Sequence, residues 1–167
     1  MNLKLVKVII VLPGTVLVYI PGVLIWLVAE WGTTVSLPSV TQPRFWCALV
    51  LGASGFALAA WTVRLFQTFG EGTPAPWDPT KRLIVLGPYR HVRNPMITSV
   101  LLMLGSEVLF FFSWHLAVWM LVFFLGNAIY FPFVEERELE RRFGDDYRLY
   151  KANVPRWIPR WSPWNST

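Results

Sequence analysis

The sequence predicts an all-α integral membrane protein: about four transmembrane helices and a cytosolic helical C-terminal segment, in one membrane domain over residues 1–167. Three observations carry this. Of the 167 residues, 54% are hydrophobic, with ten Trp and twelve Phe; a soluble domain this small could not bury that much apolar surface. The stretches 8–29 and 45–63 carry no charge, and 94–134 carries only Glu107. A crossing helix needs roughly 20 apolar residues, so the third stretch is long enough for two. Finally, Lys and Arg are placed almost entirely on one side of these segments, as described below.

Helix one is expected at about 6–29. It has a basic start at Lys4 and Lys7 and includes Pro13 and Pro21. Its long apolar part and the poor cleavage site at Glu30-Trp31-Gly32 favour a retained helix over a cleaved signal peptide. Helix two is expected at about 45–66. Its Gly52, Ala53, Ser54, Gly55, Ala57, Ala59 and Ala60 allow close helix approach, as a dimer face or as internal packing, with internal packing favoured. Cys47 cannot form an internal disulfide because it is the single Cys; it reads as a buried, inert thiol.

The segment 70–79 contains Gly70, Gly72, Pro74, Pro76 and Pro79 and cannot be a continuous helix. Trp77 suits a membrane interface. A loop over a site and a passive loop both fit. Leu83-Ile84-Val85-Leu86 then ends at Gly87-Pro88. Non-helical backbone at membrane depth must be buried or line a cavity, which makes this run a candidate cofactor wall.

Helices three and four are expected at about 95–112 and 115–134, broken at Ser113-Trp114-His115. Glu107, inside helix three, is a functional candidate by default; it could equally snorkel outward on the side away from the basic rim. After Val134 the helix continues through Glu135 and Glu136 to Phe143. Leu139 and Phe143 share a face, and Gly144 is the expected stop. Trp157, Trp161 and Trp164 in the tail suit an interfacial anchor.

Orientation follows from charge. Fourteen of fifteen Lys and Arg precede helix one, lie between helices two and three, or follow helix four; only Arg44 is on the other side. Both termini are therefore expected in the cytoplasm. The net charge of +5 suits a rim facing anionic membrane lipid, so no nucleic-acid partner is expected. No Cys/His cluster has metal spacing, and phosphate-loop and Gly-x-Ser-x-Gly signatures are absent.

Two polar borders remain. Arg90 and Arg93 could simply mark a helix end. However, Asn94 is a good cap and Pro95 suits a first turn. Such an N-terminus can hold a carboxylate, and Arg93 can add a bidentate contact. Glu135-Glu136 could be a solvated charge run, or could hold an ammonium group or ribose hydroxyls; Glu135 is the better candidate, being closer to the membrane. If the borders meet, they can grip an amino-acid zwitterion.

These residues carry a resemblance. Gly87-Pro88-Tyr89-Arg90-x-x-Arg93-Asn94-Pro95, then Glu135-Glu136-x-x-Leu139-x-x-x-Phe143-Gly144-x-x-Tyr147-x-x-Tyr150-x-x-x-Val154-Pro155, resembles the isoprenylcysteine carboxyl methyltransferase family and the related membrane phospholipid methyltransferases. The resemblance covers about 81–156. It implies S-adenosylmethionine bound on the cytosolic side, with Leu83 and Ile84 toward the adenosine, and with Tyr89, Arg93, Asn94, Pro95 and Glu135 in the two motifs. It also implies a lipophilic or small-molecule methyl acceptor, with 1–66 as scaffold and 67–167 as the cofactor-binding and catalytic part. The chain departs from the family in having Asn94 where His is usual, Ile97 where Tyr is common, and Phe131 where prenylcysteine enzymes place Arg. These changes bear on the acceptor more than on the cofactor. The alternatives are a phospholipid amine N-methyltransferase and a non-catalytic scaffold. The sequence assigns no catalytic residue, metal ligand or oligomeric state.

Overall fold

The computed structural model describes residues 13–32, 36–70 and 80–165. The start of helix one with Lys4 and Lys7, and the Pro-rich stretch 71–79 with Trp77, lie outside them. All regular structure among the described residues is helical. A π-helical turn, Thr15–Tyr19, runs into α1 (Ile20–Glu30). It is followed by α2 (Pro43–Phe69), a 3-10 turn (Gly87–Arg90), α3 (Pro95–Phe111) and α4 (Trp114–Tyr130). A second π-helical turn (Phe131–Glu135) leads into α5 (Glu136–Asn153). The break between α3 and α4 falls at Phe112-Ser113, where Phe112 has a φ of 47°.

Pro43–Phe69 and the helical run Trp114–Asn153 are long and apolar enough to cross a membrane; Thr15–Glu30 and Pro95–Phe111 are apolar but shorter. Many large apolar side chains face outward, Val50 at 66% and Phe56 at 71% exposed, as suits a lipid-facing surface rather than water.

Gly144 breaks the helix, as expected. It takes φ 56° and ψ −128°, outside the helical range, and a second helical stretch then runs to Asn153. Glycine has no Cβ, so it can adopt a bend that other residues avoid, and the chain kinks there. Cys47 departs from expectation. It is exposed, whereas Ala48, one residue and about 100° further round the helix, is the buried neighbour.

The chain forms two compact units, Met1–Ala57 with Ser99–Phe124, and Leu58–Thr98 with Leu125–Thr167. In the first, glycines seat α3 against α2. A Cβ on Gly55 would lie 2.8 Å from the Ser99 carbonyl oxygen and 2.9 Å from Met103 Cγ, and one on Gly52 would lie 2.9 Å from Ser106 Oγ. Ser106 Oγ donates to the Ala48 carbonyl at 2.7 Å. The small residues of α2 thus serve internal packing here.

In the second unit, Gly70 closes the end of α2. Its carbonyl accepts the Lys81 N–H at 2.9 Å, and a Cβ there would sit 2.7 Å from Thr80 Cγ2. The chain then passes through the irregular segment 80–86 to Gly87. That residue has φ 55°, and any side chain on it would meet the Trp61 ring at 2.9 Å. Leu65, Ile84 and Tyr89 form one buried cluster, with Phe66 against it. Tyr147, Tyr150 and Val154 form another, covered by Leu83, Val85, Leu139, Phe143 and Trp164.

The tail is stitched to the Arg90–Arg93 stretch. Arg93 N–H donates to Pro155 O, Arg160 N–H to His91 O and Trp164 N–H to Arg90 O, at 2.9, 3.0 and 3.0 Å. Arg90 Nε returns a bond to Trp164 O at 2.9 Å, and His91 Nδ1 donates to Arg160 O at 2.8 Å. Only part of the tail matches an interfacial anchor. Trp161 is fully exposed, but Trp164 stacks near Tyr150 and Trp157 meets Phe131 edge-on.

Candidate cofactor site

The second unit encloses a cavity of about 200 Å³. Leu83, Ile84, Tyr89, Arg93, Asn94 and Glu135 all line it, so the two polar borders meet in space. Pro95 does not line it; it is fully buried as the first residue of α3. Each wall follows from local structure. Leu83 and Ile84 come from the irregular segment that Gly70 and Gly87 allow. Arg93 and Asn94 stand at the head of α3, where Asn94 O accepts the Thr98 N–H at 3.1 Å and so begins the helix. Glu135 comes from the π-helical turn, whose bond runs from Glu136 N–H to Phe131 O.

That turn has a sequence cause. Pro132 has no N–H to donate to the residue four before it, and a wider turn accommodates the missing bond. A π-turn holds one residue more than an α-turn, so it rotates everything after it by about 100° relative to an undisturbed helix. The facing of Glu135 and Glu136 depends on this.

Arg93 is not free to act alone. Its Nη1 lies 2.9 Å from Glu136 Oε1. The same oxygen accepts Arg156 Nε at 2.7 Å, and Lys151 Nζ lies 3.1 Å from the other oxygen. Glu136 is only 2% exposed. Burial pushes its carboxyl up, but the hydrogen bonds from Arg156 and Lys151 and the charge of Arg93 outweigh this and hold it below the ordinary carboxylate value. Sequence reasoning preferred Glu135 and missed Glu136 as the hub. Its three cations come from 43 residues upstream and from 15 and 20 residues downstream, and no local pattern shows their convergence.

Glu135 is the opposite case. It is the first charge after the apolar stretch of α4, and it has no ion pair or hydrogen bond among the described residues. Burial, with the nearby charges of Glu138 and Glu136, raises its carboxyl to about 7. Tyr89, across the cavity lining, is raised well above its usual value by burial, then by Tyr150 and Glu135. Tyr147 is pushed up to about 12, chiefly by burial. Tyr150 is raised by burial too, and its hydroxyl donates to the Tyr89 carbonyl at 2.7 Å. Both tyrosines line the cavity; the sequence motif contained them, without a role.

Arg93 Nε and Asn94 Nδ2 are buried without a hydrogen-bond partner among the described residues. Unmet donors of this kind are uncommon inside proteins. Together with the unpaired Glu135, the lining offers donors for a carboxylate and an acceptor for a cation. Apolar surface comes from Phe66, Met96, Ile97, Tyr130 and Phe131. Arg142, another lining residue, donates to the Thr80 carbonyl and so ties α5 to the cavity wall.

The fold and this lining define a helical, membrane-type protein with a polar-ended, apolar-walled cavity. The family model described as phospholipid methyltransferase matches residues 43–146, and the chain belongs to that family. Its members are methyltransferases. No curated protein matches the chain closely enough to count as a relative.

Proposed function

We propose that this protein transfers a methyl group from S-adenosylmethionine to a lipophilic or small acceptor at the cytosolic face of a membrane. The observation that carries the reading is the convergence of Arg93, Asn94 and Glu135 on one cavity, with buried donors left unpaired on one side and an unpaired carboxylate on the other. Arg93 and Asn94 would hold the cofactor's carboxylate, Glu135 its ammonium group, and Leu83 and Ile84 its adenosine. Bound there, the cofactor supplies an electrophilic sulfonium methyl. The protein's work is then to orient and dry the site, because in-line displacement depends mainly on near-attack placement. The apolar lining excludes water, and the ion pairs of Glu136 fix Arg93.

In this reading the four apolar helices cross the bilayer, and both termini and the cavity face the cytoplasm. The charge asymmetry supports that orientation. The departure at Phe131, where prenylcysteine enzymes carry Arg, leaves the isoprenylcysteine-like acceptor and a phospholipid amine as two readings. The family description favours the second. An amine acceptor must lose a proton, which a water in the site could take.

Calorimetry with S-adenosylhomocysteine tests the reading. Binding that is lost in Arg93→Ala and Glu135→Ala, with the helical fold intact, is the expected result. Absence of binding at millimolar ligand overturns it. A labelled-methyl screen over phospholipids, prenyl thiols and small thiols then separates the acceptors.

A further inference from the structure

We infer that the C-terminal tail is a positioning element for the site: Arg156 acts through Glu136 to fix the Arg93 guanidinium, and through it sets cofactor affinity. The inference rests on the proposed cofactor reading.

The geometry is a relay. Glu136 Oε1 accepts from Arg93 at 2.9 Å and from Arg156 at 2.7 Å. Without Arg156, one guanidinium alone would orient that oxygen, and the buried carboxylate would lose one of its three cations. The tail also grips the backbone of the same residue, since Arg93 N–H donates to Pro155 O at 2.9 Å. Arg93 is therefore held twice, at its backbone by Pro155 and at its side chain by the Glu136 carboxylate that the next tail residue, Arg156, also binds. Lys151 adds a third cation, itself shared with Glu140 at 2.8 Å. Three cations against two carboxylates leave the cluster with one net positive charge beside the cavity, which suits an anionic ligand group.

The arrangement has a functional sense. A free arginine side chain has many rotamers, and ordering it costs entropy. Glu136 and Arg156 make that ordering part of folding, so it need not be met when ligand binds. Arg156 does not line the cavity, so its effect on ligand is indirect, and its bond to Glu136 is the path that reaches Arg93.

A double-mutant cycle tests this. Affinity for S-adenosylhomocysteine is measured in the wild type, Arg156→Ala, Arg93→Gln and the double variant. Arg156→Ala is expected to weaken binding about tenfold, within the range for residues of one ion-pair network. In the Arg93→Gln background the same change should alter affinity less than twofold, and Arg156→Lys should restore part of the loss. A direct readout is the NMR signal of Arg93 Nε–H, assigned by its disappearance in Arg93→Gln; it should broaden or shift in Arg156→Ala. Equal losses of affinity in both backgrounds, or an unmoved Arg93 signal, overturn the inference. If the wild type binds no S-adenosylhomocysteine, the functional reading fails, while the Arg93 signal still decides the positioning role. If Arg156→Ala does not fold, Arg156→Gln carries the same cycle.

Discussion

Glu135 makes the sharpest prediction, because its carboxyl titrates near neutrality. A ligand ammonium or sulfonium beside it favours the ionised form. Below pH 7 the free protein must first lose a proton to bind, so affinity should fall as pH falls. For one group at about 7, the apparent affinity at pH 6 is about tenfold weaker than at pH 8, or about 1.4 kcal/mol. Calorimetry with S-adenosylhomocysteine from pH 5.5 to 8 measures this, and proton release on binding should appear as a buffer-dependent heat. Glu135→Gln should bind weakly and without this slope. The folded protein alone should show the opposite sign. A carboxyl raised from 4.5 to about 7 favours the fold while protonated. That stability is full below 4.5 and lost as pH rises through about 7, at most about 3 kcal/mol. Glu135→Gln should therefore stabilise the ligand-free protein at pH 8 and change it little at pH 4.5. A wild-type affinity flat across this range, or an equal slope in Glu135→Gln, refutes the reasoning.

Three further outcomes follow from the backbone and the buried tyrosines. Gly144→Ala places a Cβ in a conformation closed to most residues and should cost about 1–3 kcal/mol in thermal or denaturant unfolding. Gly87→Ala meets both a φ of 55° and the Trp61 ring; it should destabilise at least as much and weaken S-adenosylhomocysteine, since Leu83, Ile84 and Tyr89 flank it. Tyr150→Phe removes the buried bond to the Tyr89 carbonyl, which should cost about 1–3 kcal/mol of stability in chemical denaturation.

Much of the fold was legible because apolar runs and charge carry it. The expected helices at 45–66 and 95–112 match α2 and α3 to within three residues, and the break before Trp114 was marked by Ser113 and His115. Gly144 was read as a stop because glycine commonly ends helices, and its backbone does break the helix there; the second helical stretch beyond it carries the buried Tyr147 and Tyr150. The misreading of Cys47 has a physical cause. Cys47 was placed inside from its type alone, when a helix of nearly uniform hydrophobicity gives no face to choose between. In a membrane segment the alternation that marks a core is absent, so the inward side is set by small residues such as Gly52 and Gly55.

The site was half legible, for a related reason. Residues that name a ligand chemistry can be seen singly: Arg93, Asn94 and Glu135 were chosen for charge and capping. Residues that make the site work do so by converging. Glu136 differs from its neighbour only by one position, yet one carboxylate binds three cations while the other has no partner among the described residues. The π-turn that Pro132 favours helps sort them. Had the helix stayed regular, each glutamate would face about 100° away from where it does, and the pairing with Arg93 would be lost. Pro132 is thus as much part of the site as the charges it orients. A sequence reading that counts proline only as a helix breaker overlooks a residue that, here, assigns two adjacent carboxylates to different tasks.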